Sequence, residues 1–242
     1  MSGTRTAVVW GASGGIGRAL VDAMVSSGDY AVVHAGSRTP ITPTSPVISP
    51  FAFDLTDEAS IADAAATIAA DAAVDVAIVA TGMLHDASGL RPEKSFAALT
   101  GDAMLAAYRI NAVGPALIAK HMIRALPRDR RSVFAALSAR VGSIGDNRLG
   151  GWHSYRASKA ALNMIVANLA IELRRSHPLA IAVGLHPGTV DTSLSEPFQR
   201  GVAPEKLFTR QSSASRLLAV IEALGDRDSG GVFAWDGQRI PA

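Results

Sequence analysis

Short apolar runs alternate with longer amphipathic stretches along most of this chain, and this alternation constrains the fold more than any other feature. Apolar runs of about four to eight residues are typical of buried strands, and the longer amphipathic stretches are typical of helices. Strands separated by helices form βαβ units, which predict an α/β fold with one parallel sheet. The predicted strands are residues 6–10, 31–35, 47–53, 74–80, 132–137, 181–185 and 232–235.

Amphipathic stretches predict five helices between these strands, at residues 16–27, 56–72, 102–125, 155–175 and 212–224. The first ends at Gly28, which suits the left-handed residue after a helix. The second opens at Thr56, whose hydroxyl can cap a helix N-terminus. Four prolines within residues 39–50 exclude an ordinary helix and predict a loop there. No linker divides the sequence, so we expect one domain over residues 1–242.

Composition excludes several classes of function. The 242 residues are 48% hydrophobic and 18% charged, which excludes a disordered chain. Lys and Arg number 23 against 21 Asp and Glu, and this balance argues against a nucleic-acid partner. The chain has no cysteine and its six histidines show no metal-ligand spacing, so we expect no metal. No apolar stretch is long enough for a membrane span, and the N-terminus resembles a strand and loop rather than a cleavable signal, so we expect a cytoplasmic protein without a membrane partner.

A glycine-rich loop follows the first predicted strand, where residues 11–17 read GASGGIG and lead into the first helix. Glycines let backbone N–H groups approach an anion, and the positive end of a helix dipole favours negative charge. A strand, such a loop and a helix start together predict a pyrophosphate site for a dinucleotide. The alternative is a tight turn that binds no ligand.

The end of the second strand bears on which dinucleotide binds. An acidic residue there would bind the ribose 2′-hydroxyl of NAD and repel the 2′-phosphate of NADP. This chain instead has Ser37 and Arg38, whose guanidinium can pair with phosphate. NADP(H) is therefore favoured, with NAD(H) as the alternative if Arg38 is only a solvated loop residue. Asp54, which ends the third strand, can accept from the adenine amino group or simply lead into the next helix.

Four polar residues are candidates for catalysis. Tyr155 and Lys159 are four apart on a predicted helix and share one face, although this spacing is also common on solvent-facing helices. A cation about 4 Å away supplies roughly the 4 kcal/mol needed to lower a tyrosine pKa from ~10 toward neutrality. Ser138 follows the fifth strand, at the edge where open α/β sheets carry their chemistry. Asn111 lies beside glycine and proline in a long helix, which indicates either a kink with a bound water or a self-satisfied buried amide.

In order and placement these residues, with PGTVDT at 187–192, resemble the short-chain dehydrogenase/reductase family over nearly the whole chain. The resemblance implies a single doubly wound Rossmann domain, a seven-stranded parallel sheet flanked by helices, and nicotinamide-dependent redox chemistry at a small carbonyl or alcohol substrate. It implies that Tyr155 is the general acid in reduction and that Lys159 lowers its pKa and holds the nicotinamide ribose. Ser138 would orient the carbonyl oxygen, and Asn111 would anchor a proton-relay water.

Cofactor contacts follow from the loop and from the resemblance together. The expected contacts are Gly11, Ser13, Gly14, Gly15, Ile16, Gly17, Ser37, Arg38, Asp54, Leu55, Ala80, Thr81, Gly82, Asn111, Tyr155, Lys159, Pro187, Gly188, Val190 and Thr192. The segment 187–192 would meet the carboxamide end of the cofactor.

Residues 137–144, 150–159 and 233–237 more closely resemble the C-factor branch, which is named after a developmental cell-signalling protein. Three features depart from the family pattern. The family's Asn-Ala-Gly after the fourth strand is Ala-Thr-Gly at residues 80–82, the proline loop replaces a helix, and 17 positions separate Ser138 from Tyr155. These departures leave the catalytic groups in place and change the expected shape of the pocket.

The pocket and the assembly state are less constrained by the sequence. Residues 193–211 predict a flap over the substrate, or else an ordinary surface excursion. The candidate lining residues are Glu196, Phe198 and Phe208 from that segment, and Arg140, Trp152 and His153 from outside it. The resemblance implies a dimer or tetramer formed through the predicted helices that contain Asn111 and Tyr155, with a monomer as the alternative.

Two other functions were weighed against a reductase. An NAD(P)H-binding sensor or cell-signalling protein with little turnover would need only the cofactor site, and the complete set of Asn, Ser, Tyr and Lys argues against it. A sugar epimerase or dehydratase of the extended type needs a larger C-terminal substrate domain than the residues after Thr192 provide.

Overall fold

The computed structural model describes residues 4–87 and 89–242. Its strands are β1 (Arg5–Trp10), β2 (Tyr30–Ser37), β3 (Ile48–Ala52), β4 (Val76–Val79), β5 (Ser132–Leu137), β6 (Ala180–His186), β7 (Thr189–Val190), β8 (Leu207–Phe208) and β9 (Val232–Ala234). Seven of them form one parallel sheet in the order β3-β2-β1-β4-β5-β6-β9. All seven predicted strands are confirmed to within two residues at either end. The short pair β7 and β8, which forms a second sheet, was not predicted.

The helices are α1 (Gly15–Ser27), α2 (Glu58–Asp71), α3 (Gly101–Tyr108), α4 (Gly114–Met122), α5 (His153–Ser176) and α6 (Arg210–Ala223). The predicted end of α1 is confirmed, since Gly28 has φ +73°. The predicted cap of α2 is wrong. Asp57 caps this helix by accepting from the backbone N–H of Ala59 at 3.0 Å, because the Thr56 hydroxyl is already bonded to Asp54.

Helices cover both faces of the sheet, as the doubly wound fold requires. In β1, Ala7 and Val9 pack into the apolar cluster beneath α1 and α6, while Val8 and Trp10 pack into the cluster beneath α2, α4 and α5. Alternate side chains of one strand are therefore buried on opposite faces, which explains why the strands are continuous apolar runs.

The proline segment forms the predicted loop, since residues 38–47 contain neither helix nor strand. The expected range is too long at its far end, because Pro50 lies within β3 and pairs in register with Ala35. Proline lacks the N–H that a central strand must donate, and β3 is the edge strand of the sheet.

The long helix predicted at 102–125 is interrupted after α3. Residues Arg109–Val113 form a π turn, and α4 resumes with Pro115 in its first turn. This π turn lies where the sequence predicted a kink, and the bonds of Asn111 described below match the alternative of a self-satisfied buried amide. Within the described part of the chain, no helix is both long enough and apolar enough to cross a lipid bilayer.

Candidate active site

Three adjoining cavities lie where the parallel strands end. The loop cavity, about 490 Å³, extends from the glycine loop to Arg38 and Asp54. The central cavity, about 210 Å³, lies between the glycine loop and Tyr155, and the outer cavity, about 350 Å³, lies between Tyr155 and Trp152. The loop and central cavities share Gly14, Ala80, Thr81 and Gly82; the central and outer cavities share Ile16, Ser138, Tyr155, Pro187, Thr192 and Leu194. Together the cavities follow the carboxyl edge of the sheet from β2 to β6.

The glycine loop presents backbone rather than side chains to these cavities. Gly11 has φ +98°, in the left-handed region that favours glycine. A Cβ at Gly15 would lie 2.8 Å from Cγ2 of Thr192, and a Cβ at Gly17 would overlap the carbonyl oxygen of Gly11. Gly17 lines none of the three cavities, and its lack of a side chain lets α1 lie close against the loop, while its expected contact with cofactor stays a prediction. Ser13 lines the loop cavity.

The far end of the loop cavity brings together Ser37, Arg38, Asp54 and Leu55. The buried Ser37 hydroxyl donates to the carbonyl oxygen of Thr39 at 2.7 Å. Arg38 is exposed and makes no hydrogen bond or ion pair within the described residues, so its guanidinium is available to an anion. One carboxylate oxygen of Asp54 accepts from the backbone and the hydroxyl of the residue two positions later, and these bonds hold the pKa of Asp54 below its usual value.

Ser138, Tyr155 and Lys159 meet in the central cavity. β5 ends one residue before Ser138, and α5 places Tyr155 and Lys159 one turn apart on the face toward it. Lys159 Nζ donates to the carbonyl oxygen of Leu137 at 2.7 Å and lies 5.9 Å from the centre of the Tyr155 ring. The Ser138 hydroxyl donates to Oδ1 of Asn163, a further turn along α5, at 2.6 Å. The structure thus unites the predicted serine, tyrosine and lysine and adds an asparagine.

Burial sets the protonation of this pair. It raises the pKa of Tyr155 to about 12 and lowers the pKa of Lys159 to about 7, because a low-dielectric surrounding disfavours the charged form of each group. Tyr155 is therefore a neutral phenol at pH 7, and Lys159 is near its midpoint. The expected lowering of the tyrosine pKa by Lys159 stays a prediction, since burial alone accounts for the shift of Tyr155 here.

Asn111 lies in the π turn, fully buried. Its Oδ1 accepts from the N–H of Met83 at 2.8 Å, and its Nδ2 donates to the carbonyl oxygen of Met83 at 2.8 Å and to Oγ of Ser158 at 3.0 Å. The amide therefore ties the turn to the segment after β4 and to α5. Asn111 lines none of the three cavities, and both its expected contact with cofactor and the relay water stay predictions.

The segment after β6 closes the opposite side of the site. Pro187 and Thr192 line both the central and the outer cavity. Gly188 and Val190 line the outer cavity alone. The four expected contacts of this segment therefore divide between the two cavities.

The outer cavity has an aromatic wall. The rings of Trp152 and Phe198 lie 5.1 Å apart in an edge-on arrangement, and Arg140 also lines this cavity. His153 lies elsewhere, because its ring packs on exposed Phe96 with centroids 4.3 Å apart. The pocket positions expected for Trp152, Phe198 and Arg140 agree with the structure, and the one expected for His153 is wrong.

The predicted flap contributes only part of its length to the outer cavity. Within residues 193–211 the lining comes from Leu194, Ser195, Phe198 and Val202. Glu196 and Phe208, which were candidates, line none of the three cavities. Phe208 instead packs edge-on against Trp235, with ring centroids 4.7 Å apart, because β8 directs it beneath the site.

The residues present fit a dinucleotide that extends through the loop and central cavities. Thr81 lines both, and its Oγ1 is buried without a hydrogen-bond partner among the described residues. Gly82 lies beside it, and a Cβ there would come within 3.7 Å of Lys159 Nζ. An unpartnered hydroxyl and a loop of bare backbone at a helix start provide polar groups for such a ligand. Residues 4–87 and 89–242 contain no group of side chains that could hold a metal ion.

Comparison with known proteins decides the family. The model of the family described as short chain dehydrogenase matches residues 5–202. The chain belongs to this family. C-signal of Myxococcus xanthus is 34% identical over 138 residues, which cover 57% of this chain and 78% of that protein. This similarity agrees with the resemblance to the C-factor branch.

Other similarities of this short-chain dehydrogenase extend over its whole length. An uncharacterized oxidoreductase of Schizosaccharomyces pombe is 27% identical over 252 aligned positions, which cover 96% of this chain and 95% of that protein. The crystal structure of NADPH-bound carbonyl reductase from chicken fatty liver superimposes with a TM-score of 0.84 at 24% identity, covering 100% of this chain and 96% of that one. The similarity to the yeast protein supports an oxidoreductase, and the superposition on the chicken enzyme confirms the doubly wound α/β fold.

The long interval between Ser138 and Tyr155 in this short-chain dehydrogenase has a structural consequence. Gly150, Gly151 and Trp152 all have left-handed φ, at +62°, +65° and +50°, so the chain turns sharply into α5. Buried Glu93 accepts hydrogen bonds from the N–H and the hydroxyl of Ser154 in the first turn. Although burial opposes it, this bonding holds the pKa of Glu93 below its usual value. A residue far away in sequence therefore caps the helix that carries Tyr155.

The sequence did not indicate Asn163 or Glu93. Asn163 has one available signal, since it is eight residues after Tyr155 and so lies on the same face of α5. Glu93 has none, because its partner is 61 positions away and the segment between contains several other acids.

Proposed function

We propose that this short-chain dehydrogenase is an NADPH-preferring carbonyl reductase, in which residues 1–242 form one domain and Tyr155 acts as general acid and base. The observation that carries the proposal is the meeting of Ser138, Tyr155 and Lys159 in one cavity that adjoins the glycine loop. A neutral phenol and a hydroxyl in that cavity suit a small carbonyl or alcohol substrate. The outer cavity, whose wall is largely apolar, would hold the remainder of that substrate.

The bound nicotinamide supplies the hydride or accepts it. The residues of this chain handle the substrate oxygen and its proton. Tyr155, whose pKa of about 12 keeps it protonated, donates its proton to the carbonyl oxygen during reduction. Ser138 donates a hydrogen bond to the same oxygen, for which its hydroxyl turns away from Asn163.

Lys159 supports the loss of that proton. Its pKa of about 7 means that the amine gains or loses a proton readily near neutral pH. A phenolate forming on Tyr155 would favour the ammonium form, because opposite charges attract strongly where the dielectric is low. Protonation of Lys159 and ionisation of Tyr155 are therefore coupled. The hydrogen bond from Nζ to the carbonyl oxygen of Leu137 keeps the amine in place for this.

The cofactor preference rests on the end of β2. Arg38 lines the loop cavity, is exposed and makes no hydrogen bond or ion pair among the described residues, although its charge also attracts the carboxylate of Asp54. A guanidinium there suits the 2′-phosphate of NADPH. The chicken carbonyl reductase with the same fold binds NADPH, which supports the same preference here.

Assembly as a dimer or tetramer is part of this proposal. Leu105, within the helical stretch predicted at 102–125, is 70% exposed, and Met164, within the one predicted at 155–175, is 63% exposed. The two helical stretches expected at an interface therefore carry apolar side chains on their surface. Light scattering tests this, and a mass of one chain would contradict it. The cytoplasmic location stays a prediction.

The test of function follows the oxidation of NADPH and NADH in parallel against aldehydes, ketones, quinones and dicarbonyls. Ser138→Ala is the matched control, because it leaves the glycine loop and Arg38 intact. We expect turnover that prefers NADPH and is lost in the control. Tight cofactor binding without turnover on any carbonyl would contradict the reductase and support the sensor alternative.

A further inference from the structure

Arg210, the first residue of α6, lies against the glycine loop. A Cβ at Gly15 would lie 3.1 Å from Nε of Arg210, closer than side chains ordinarily approach. Nε of Arg210 donates to the carbonyl oxygen of Asp191 at 2.8 Å, which holds the side chain across the loop. An arginine near the end of the predicted flap segment is thereby brought to the start of α1.

A further cavity of about 320 Å³ lies at this place, which we call the arginine cavity. It is lined by Ser13, Gly14, Gly15, Arg18, Ala19, Asp22, Ser193, Arg210 and Gln211. Ser13 and Gly14 also line the loop cavity, and Gly14 and Gly15 also line the central cavity. The arginine cavity therefore opens onto the same stretch of glycine loop that the two other cavities share.

The two arginines of this cavity differ in how they are bonded. Arg18 pairs with Asp22 at 3.0 Å and reaches the hydroxyl of Thr44 at 3.4 Å. Arg210 makes only the Nε bond, and its two terminal nitrogens have no partner within residues 4–87 and 89–242. The exposed fork of Arg210 is therefore the available cation beside Gly14 and Gly15.

We propose that Arg210 binds the pyrophosphate of the dinucleotide, on the side of the glycine loop opposite α5. This assignment rests on the proposed function, because it needs a dinucleotide in the site. A pyrophosphate carries negative charge on both phosphates, and a guanidinium forms charge-assisted hydrogen bonds to such oxygens. Arg38 and Arg210 would then recognise different parts of the cofactor, one the 2′-phosphate and the other the group that NADPH and NADH have in common.

Because the two arginines would bind different phosphate groups, binding measurements with NADPH and NADH test the assignment directly. The dissociation constants of NADPH and NADH are measured by fluorescence titration for the wild type and for Arg210→Gln, Arg210→Lys and Arg38→Gln. Arg175→Gln is the charge-matched control, since Arg175 is exposed at the opposite end of α5 from Tyr155. Circular dichroism of each variant checks that the fold is kept.

The pyrophosphate assignment predicts that Arg210→Gln weakens the binding of NADPH and of NADH by the same factor, roughly ten-fold. This factor corresponds to the loss of one charge-assisted hydrogen bond. Arg210→Lys keeps the positive charge and should therefore lose less affinity for both nucleotides. Arg38→Gln should weaken the binding of NADPH alone, and Arg175→Gln should change neither dissociation constant. An Arg210→Gln variant with unchanged constants, or with a loss confined to NADPH, overturns the assignment. A wild type that binds neither nucleotide overturns the proposed function together with it.

Discussion

The hydroxyl of Ser138 donates to Oδ1 of Asn163, at 2.6 Å, rather than pointing into the central cavity. The Ser138 hydroxyl must break this hydrogen bond before it can donate to the carbonyl oxygen of a substrate. An asparagine permits the change, because its amide offers both an acceptor and a donor to the hydroxyl. Asn163 therefore controls the direction in which Ser138 can donate.

Replacements of Asn163 should separate the effect of its acceptor oxygen from the effect of its donor N–H group. An ionised aspartate in Asn163→Asp provides only acceptors, so it keeps the hydrogen bond from the Ser138 hydroxyl. We expect kcat to fall by roughly 10²-fold, because the reacting oxygen loses one hydrogen-bond donor. Asn163→Ala releases the hydroxyl and should cost less. Steady-state kinetics on both variants measures the difference, with cofactor affinity as the control. Equal losses in the two variants would contradict this role.

The low pKa of Lys159 predicts how stability depends on pH. The folded protein loses the lysine proton near pH 7, whereas the unfolded chain keeps it up to the usual lysine pKa of 10.5. Between these limits the unfolded state binds more protons, so the free energy of unfolding rises with pH, by about 1.4 kcal/mol per unit for one group. Above pH 10 the raised pKa of Tyr155 acts in the opposite direction.

Urea unfolding at pH 6, 8 and 9.5 measures this rise. Lys159→Met is the comparison, because it keeps the length of the side chain and cannot be charged. We expect the difference in stability between wild type and variant to change steadily in favour of the wild type from pH 7 upward. A difference independent of pH would show that Lys159 is charged in the folded protein throughout this range.

Thr81→Val tests the unpartnered hydroxyl at the boundary of the loop and central cavities. Because Oγ1 of Thr81 is buried without a partner among the described residues, its replacement by a methyl group should stabilise the protein by about 1 kcal/mol. The same change should weaken cofactor binding. Thermal unfolding with and without NADPH measures both effects. A variant less stable than the wild type without cofactor would mean that the hydroxyl is already satisfied.

Glu93→Gln tests the distant cap of α5. The carboxylate accepts two hydrogen bonds from Ser154, and its amide replacement should cost about 1 to 2 kcal/mol of stability at pH 7. The pKa of Glu93 is lowered on folding, so its contribution is present above the usual carboxyl range and is lost as pH falls through the folded value. Urea unfolding at pH 7 and pH 3 should therefore show a difference that narrows in acid. A constant difference would assign the effect to packing.

The fold follows closely from the sequence because each buried strand is a continuous apolar run. In β1, side chains on both faces are buried, so the whole run from Thr6 to Trp10 is recognisable. The errors occur where local signals compete. Thr56 and Asp57 are both good helix caps, and the choice between them depends on the hydrogen bond that Thr56 makes with Asp54.

The site was predictable where its residues are adjacent in sequence or stand at strand ends. Tyr155 and Lys159 share a helix face, and Ser138 directly follows β5, so position alone brings them together. Arg210 and Glu93 were not predictable, since each reaches the site from a segment whose path depends on tertiary structure. Phe208 was misplaced for the same reason, because the β8 pairing that directs it away from the cavity involves only two residues.

The most direct test of the account is the Tyr155→Phe protein, examined for NADPH binding and for carbonyl reduction in the same preparation. The variant lacks only the phenol oxygen and keeps the glycine loop, Arg38 and Lys159. We expect an unchanged dissociation constant for NADPH and a loss of roughly 10²- to 10⁴-fold in kcat, the range for removal of a general acid. Reduction by the phenylalanine variant at the wild-type rate would show that Tyr155 is not the proton donor and would contradict the central claim.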